Sequence, residues 1–166
     1  ADVVFEVFGH RRLLRDPVSG LMHLGIFWGF TVLFLSVANF FWEGLTGSAL
    51  PFTDGHVWYH LTMNVFYLAV TLALALAFFR RLVTRPKRLE LTGEALFILA
   101  MIGGVIATDV MLDGAKIARH GAAAPGALLG NPMASFWTAM STGPACLDLA
   151  YAGSWWLHAA ILLGFL

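Results

Sequence analysis

The stretch that decides the fold is Gly20–Trp42, GLMHLGIFWGFTVLFLSVANFFW. It is apolar over more than the about 20 residues that a membrane-spanning helix needs. One titratable side chain, His23, lies near its start. An ionisable side chain inside a membrane helix is costly, and such residues usually serve a function. The stretch therefore predicts a membrane-spanning helix that carries a functional histidine.

The composition extends this prediction to the whole chain. Its 166 residues are 59% hydrophobic and 12% charged, whereas soluble domains carry about 25% charged residues. The formal net charge is zero, so nothing indicates a nucleic-acid partner. The one cysteine, Cys146, can form no disulfide within the chain and cannot hold an iron–sulfur cluster, which takes about four thiolates. We predict an all-α integral membrane helical bundle surrounded by membrane lipid.

Apolar runs divide the chain into four predicted spans. They are Gly20–Trp42, His56–Phe79, Glu94–Leu112 and a last span that starts near Ala150. Between the third and fourth spans, Asp113–Leu149 is interrupted by glycines and prolines, and its piece Met133–Met140 has the composition of a short interfacial helix. The last apolar run, Ser154–Leu166, is shorter than the about 20 residues of a full span, and the chain starts at Ala1. We therefore expect a fragment of a protein with five or more spans.

Basic residues predict the orientation of these spans. Arg11, Arg12 and Arg15 precede span one, in a segment (1–19) whose mixed apolar and basic residues suit a helix lying at the membrane surface. Five more basic residues join spans two and three: Arg80, Arg81, Arg85, Lys87 and Arg88. Because basic loops stay in the cytoplasm, segment 1–19 and the 80–88 loop are predicted to be cytoplasmic, and 120–149 is predicted to be an outer loop.

Three histidines within the spans are candidate ligands of haem iron. His60 and His158 lie one or two turns from the outer face on different helices, and His23 lies near the cytoplasmic face. Axial histidines from two facing helices commonly hold haem in a bundle core. The depths therefore suit one haem near each face. The partner of His23 would lie beyond Leu166.

Each of these residues also has an ordinary structural interpretation. His23 suits an interfacial histidine that reaches water, and His158 follows Trp155 and Trp156, which suit an aromatic belt. His60 forms an i, i+4 pair with His56, without the glutamate of an HExxH metal site. Asp109 and Asp113, with Lys116 and Arg119 one or two turns further on, suit a helix end in the headgroup zone with i, i+3 and i, i+4 pairs. The alternative for Asp109 and Asp113 is a carboxylate that takes protons from an oxidised quinol.

The segment VFGHRRLLRDPVSGLMHLGIFWGFTVLFL resembles the cytochrome b-type membrane domain related to the respiratory nitrate reductase gamma subunit. It is most similar to versions fused to, or partnered with, iron–sulfur subunits that resemble heterodisulfide reductase. The family pattern Gly-x-x-His-x-x-x-Phe-x-Gly-Phe is matched by Gly20, His23, Phe27, Gly29 and Phe30. The helix end DVMLDGAKIARH and the late histidine in WWLHAAILLGFL are similar to further landmarks of the family.

The resemblance implies that His23 ligates a haem b near the cytoplasm, paired with a histidine at the end of the last helix. The nitrate reductase branch places a second ligand ten residues further along the first helix, where this chain has Leu33. A second haem would then need a substitute such as His60, or it is absent. His158 would be a ligand without its usual partner, or a residue of a quinone site. The firmer expectation is one haem, and the extended one is two.

The sequence thus predicts one domain, residues 1–166, in a prokaryotic cytoplasmic membrane. We expect it to bind haem b and to pass electrons between menaquinone or ubiquinone and a cytoplasmic iron–sulfur domain or subunit. The alternative is a cofactor-free polytopic membrane anchor or small transporter. Transporters carry broken helices and polar residues near the midplane, whereas the polar residues of these spans gather near the ends.

Overall fold

The described part of the computed structural model, residues 17–53, 55–84 and 92–165, consists of helices and short connections. The helices are α1 Pro17–Thr46, α2 Val57–Phe79, α3 Gly93–His120, α4 Gly130–Met140 and α5 Pro144–Phe165, with a π-helical turn over Arg80–Thr84. No strand occurs in these residues. The helices α1, α2, α3 and α5 are long and apolar enough to span a membrane. The predicted all-α fold of a multi-pass membrane protein is confirmed.

The third helix is about two turns longer than the predicted span. It begins after Thr92, whose side chain accepts a hydrogen bond from the Ala95 backbone amide, and it ends at Gly121, whose φ of 70° suits glycine. Charged residues after Leu112 ended the predicted span, but in the structure they stay helical because partners on other helices neutralise them, as Glu43 does for Lys116. The fifth helix likewise begins earlier than predicted, at Pro144 instead of Ala150.

The connection predicted over Asp113–Leu149 is therefore largely helical. It contains the end of α3, the whole of α4 and the start of α5. The short helix expected at Met133–Met140 is present as α4 and starts three residues earlier, at Gly130. Residues 1–16 of the predicted interfacial segment and 85–91 of the basic loop lie outside the described residues.

The helices pack as two close groups, α1 with α2 and α3 with both α4 and α5. On α1, Gly29 permits the close approach, because a Cβ there would overlap Cγ2 of Val70 on α2. Gly25 lies one turn away, with space for a Cβ 3.5 Å from that of Ala73. Close packing of this kind is typical of small residues in membrane helices. These two glycines thus serve contact between helices.

A shared apolar core joins the two groups at mid-height. Leu33 on α1 is buried with Tyr67 and Val70 of α2 and with Ile102 and Ile106 of α3. Leu33, which occupies the position of a haem ligand in the nitrate reductase branch, is therefore a packing residue. A second core, about two turns further along α1, gathers around Phe40 and includes residues of α3 and α5. Most of the buried polar groups lie at the end of the bundle where α1 ends and α2 and α5 begin. This end is here called the polar end.

Candidate functional site

A carboxylate inside α3 is the innermost charged group of the polar end. The hydroxyls of Tyr67 and Ser36 both donate to Oδ2 of Asp109, at 2.5 and 2.8 Å. Three helices therefore meet at one carboxylate oxygen. Tyr67 and Ser36 are both buried, so this hydrogen-bonded group lies away from the lipid-facing surface.

One turn further along α3, Asp113 lies beside a predicted haem ligand. Its Oδ1 is 3.9 Å from Nδ1 of His60 on α2. The approach of α4 crowds the same carboxylate, because a Cβ at Gly130 would overlap Oδ2 of Asp113. Asn64 lies one turn after His60, and its Nδ2 donates to the backbone carbonyl of His60 at 2.7 Å. Its Oδ1 accepts from the Leu129 backbone amide at 2.6 Å.

Lys116, the next polar residue on this face of α3, pairs with Glu43 at the end of α1. The other oxygen of Glu43 accepts a hydrogen bond from the Tyr151 hydroxyl of α5 at 3.1 Å. Tyr151 lies under the guanidinium of Arg119, 4.5 Å from the ring centre. Glu43 therefore links α1, α3 and α5 at the mouth of the polar end.

Two adjoining cavities follow these groups. The inner chamber measures about 50 Å³ and is lined by Ser36, Tyr59, Tyr67 and Asp109 among others. The outer cavity measures about 470 Å³, and its lining includes Glu43, Arg119, His120 and Tyr151. Both are lined by Ala49, His60, Asp113 and Lys116. These four residues mark the junction between the two cavities.

His158 has different surroundings, in the second apolar core. It is 1% exposed, and its ring meets that of Phe40 edge to face at 4.8 Å between centres. Its Nδ1 lies 2.8 Å from the Thr108 hydroxyl. Its Nε2 is buried and has no hydrogen-bond partner among the described residues. A buried polar atom without a partner costs about 1–3 kcal/mol, so Nε2 of His158 requires an explanation.

His23 lies in a third environment, on an exposed face of α1. It borders an open, mostly apolar groove along that helix, with Ile26, Phe27, Phe30, Thr31 and Phe34. The structure thus places the three predicted ligands in three separate surroundings. His158 lies beside Thr108 of α3, and His60 lies beside Asp113 of the same helix. Thr108 and Asp113 are about 7 Å apart along the axis of α3. Within the described residues, no group of three or more His, Cys, Asp or Glu side chains is placed to hold a metal ion.

Several residues of the polar end were not identified from the sequence. Tyr67, Ser36 and Thr108 look like ordinary residues of an apolar helix, and only their contacts with Asp109 and His158 reveal them. Asn39 was missed as well, although it organises the α1–α2 connection by accepting from the Leu50 amide at 2.8 Å and the Thr53 hydroxyl at 2.9 Å. A polar residue within an otherwise apolar span was the available signal for all of them.

The chain is similar along nearly its whole length to parts of two longer oxidoreductases. It is 28% identical over 164 residues to the probable iron-sulfur-binding oxidoreductase FadF of Bacillus subtilis, which covers 97% of this chain and 23% of that protein. It is 27% identical over 179 residues to the EtfAB:quinone oxidoreductase of Syntrophomonas wolfei, which covers 96% of this chain and 24% of that protein.

The chain therefore spans about a quarter of the length of these curated relatives. No protein-family model and no solved structure matches it. The chain is thus similar to segments of two oxidoreductases, and its described residues include four helices that could span a membrane.

Proposed function

We propose that this chain is a haem b-binding membrane domain that transfers electrons between a quinone, menaquinone or ubiquinone, and an iron–sulfur oxidoreductase unit. The observation that carries the proposal is the buried Nε2 of His158, which has no partner in the described part of the chain. The similarity to an iron-sulfur-binding oxidoreductase and to a quinone oxidoreductase supports the two ends of the electron path.

The surroundings of His158 suit an axial ligand. The Thr108 hydroxyl lies 2.7 Å from the Gly104 carbonyl and can donate to it. The hydroxyl oxygen then accepts from Nδ1–H of His158, which leaves the lone pair on Nε2. A metal-binding histidine is neutral and is oriented by a hydrogen bond at its other nitrogen. Thr108, together with the Val105 backbone that also contacts the imidazole, would orient the ring and favour the tautomer that leaves Nε2 for iron.

The apolar shell around His158 excludes water from this nitrogen. Phe40, Leu112, Ala159 and Leu162 are all buried in the same core. A dry shell and a histidine ligand are means by which a protein sets the potential of haem. Bound haem would supply one-electron transfer, which links two-electron quinone chemistry to one-electron iron–sulfur centres.

His23 is proposed as a ligand of haem near the opposite end of the bundle. Its groove is lined by Phe27, Phe30 and Phe34, and aromatic rings of this kind pack well against a planar macrocycle. Its axial partner would come from outside the described residues. His60 we leave out of the haem proposal, because Asp113 and the two cavities surround it.

The orientation follows from the basic residues. We propose that the start of α1 and the Arg80–Thr84 turn face the cytoplasm of a prokaryotic cell, where the iron–sulfur unit would bind. The polar end would then face the outside of the cytoplasmic membrane. His23 would lie near the iron–sulfur unit, and His158 would lie near the polar end.

His158→Ala tests the haem assignment in the full-length protein. We expect loss of the haem that His158 holds, measured as haem b per protein by the pyridine haemochrome assay. His120→Ala is the matched control, because His120 is exposed at the end of α3 and its Nδ1 contacts the Lys116 carbonyl. Equal haem content in the two variants would contradict His158 as a ligand. A wild-type protein without haem would favour the cofactor-free anchor.

A further inference from the structure

The two cavities of the polar end differ in what they can hold. A cavity needs about 10–15 Å³ to hold one water molecule, so the inner chamber of about 50 Å³ accommodates a few waters. Sites for small organic ligands measure about 300 Å³ or more, so a quinone ring does not fit this chamber. The outer cavity, at about 470 Å³, is in that range. The inner chamber is therefore suited to water.

Asp109 lies at the inner end of this water-sized chamber. A carboxylate in a membrane span is expensive unless it is paired or protonated. Lys116 also lines the chamber, but its ammonium pairs with Glu43 at the mouth. Tyr67 and Ser36 solvate the Asp109 carboxylate without neutralising it. Within the described residues, this carboxylate oxygen thus has hydroxyl groups as its partners, and the chamber beside it has room for water.

We infer that Asp109 exchanges protons with the aqueous phase through water in the inner chamber and the outer cavity. This inference rests on the proposed function, since it supplies the protons that quinone chemistry requires. The junction residues Ala49, Asp113 and Lys116 lie where water would pass between the two cavities. The titratable and charged groups that face this path come from four helices: Glu43 of α1; Tyr59, His60 and Tyr67 of α2; Asp109, Asp113, Lys116, Arg119 and His120 of α3; and Tyr151 of α5.

The balance of the reaction defines the task of Asp109. Reduction of a quinone to its quinol takes up two electrons and two protons, and oxidation of the quinol releases both. Bound haem would carry the electrons singly to or from the iron–sulfur unit. Asp109 would exchange one proton at a time with a quinone in the outer cavity, through water at the junction, and its carboxyl would be reset from the aqueous phase after each transfer. The path therefore serves either direction of electron flow.

Infrared spectroscopy of the full-length protein tests the water connection directly. When wild type is acidified, we expect a carboxylic-acid C=O band that is absent from Asp109→Asn and that shifts promptly when H₂O is replaced by D₂O. Ala49→Trp fills the junction and should slow this shift. Ala123→Trp is the control and should not slow it, because Ala123 is exposed and does not itself line either cavity. A band that shifts equally fast in both tryptophan variants, or no band assignable to Asp109, would overturn the inference.

Turnover with a short-chain quinone gives the second readout. Asp109→Asn keeps a hydrogen-bond acceptor for Tyr67 and Ser36 but carries no proton, so we expect turnover to fall by about a hundredfold, the low end of what a positioned proton-transfer group contributes. Asp109→Glu should restore part of the rate. Unchanged haem content in both variants would show that the loss is not structural. Full turnover by Asp109→Asn would overturn the proton path while leaving the haem proposal intact. Absence of haem from the wild-type protein would refute the haem proposal without affecting the infrared result.

Discussion

At the scale of single residues, the pair Thr108–His158 determines whether the chain can ligate a metal at this position. His158 could be selected from the sequence because a histidine in an apolar run is costly. Thr108 could not, because a threonine in a membrane helix often bonds only to its own backbone. In the structure Thr108 makes that bond and also contacts Nδ1 of His158. The proposed ligand could therefore be selected from the sequence, and the residue that contacts its Nδ1 could not.

Thr108→Val tests this orienting contact. Valine has nearly the same shape and lacks the hydroxyl, so Nδ1 of His158 loses the partner that fixes its tautomer. Loss of such an outer contact typically weakens metal binding about 10–100-fold. We expect haem to be retained poorly during purification, measured as haem per protein. Thr108→Ser keeps the hydroxyl and should retain haem, and equal retention in the two variants would contradict the role of Thr108.

At the scale of helices, positions were predictable and their ends were less so. Long apolar runs identified α1, α2 and α3. An apolar run that crosses a bilayer must satisfy its backbone hydrogen bonds internally, and a helix does so. The end of α3 was predicted too early, because Asp113 and Lys116 lower the hydropathy while remaining helical. Only their partners His60 and Glu43, more than 50 residues away along the chain, account for this. Hydropathy contains no information about such pairs.

Gly29→Ala tests the contact between α1 and α2. The added methyl group would overlap Cγ2 of Val70, and overpacking of this kind costs about 1–3 kcal/mol. We expect the midpoint of denaturant-induced unfolding in detergent to fall. Gly103→Ala is the control, because no described atom lies within 4 Å of a Cβ at that helical position. The double variant Gly29→Ala, Val70→Ala should recover part of the loss, and a Gly29→Ala protein as stable as wild type would refute the close contact.

At the scale of the whole molecule, the apolar cores and the polar end contain the two proposed sites separately. The cores hold His158 in a dry environment, and the polar end holds Asp109 beside water-sized space. The sequence predicted that polar residues would gather near the ends of the spans. It did not predict that Tyr67, Ser36 and Asp109 would meet, because that meeting depends on the relative rotation of three helices, which apolar periodicity leaves undetermined.

The measurement that tests the central claim most directly is an optical difference spectrum of the purified full-length protein. The oxidised protein is mixed first with a short-chain menaquinol or ubiquinol and then with dithionite. We expect the quinol to produce the bands of reduced haem b and dithionite to complete them. Absence of haem bands even after dithionite would contradict haem binding by this domain.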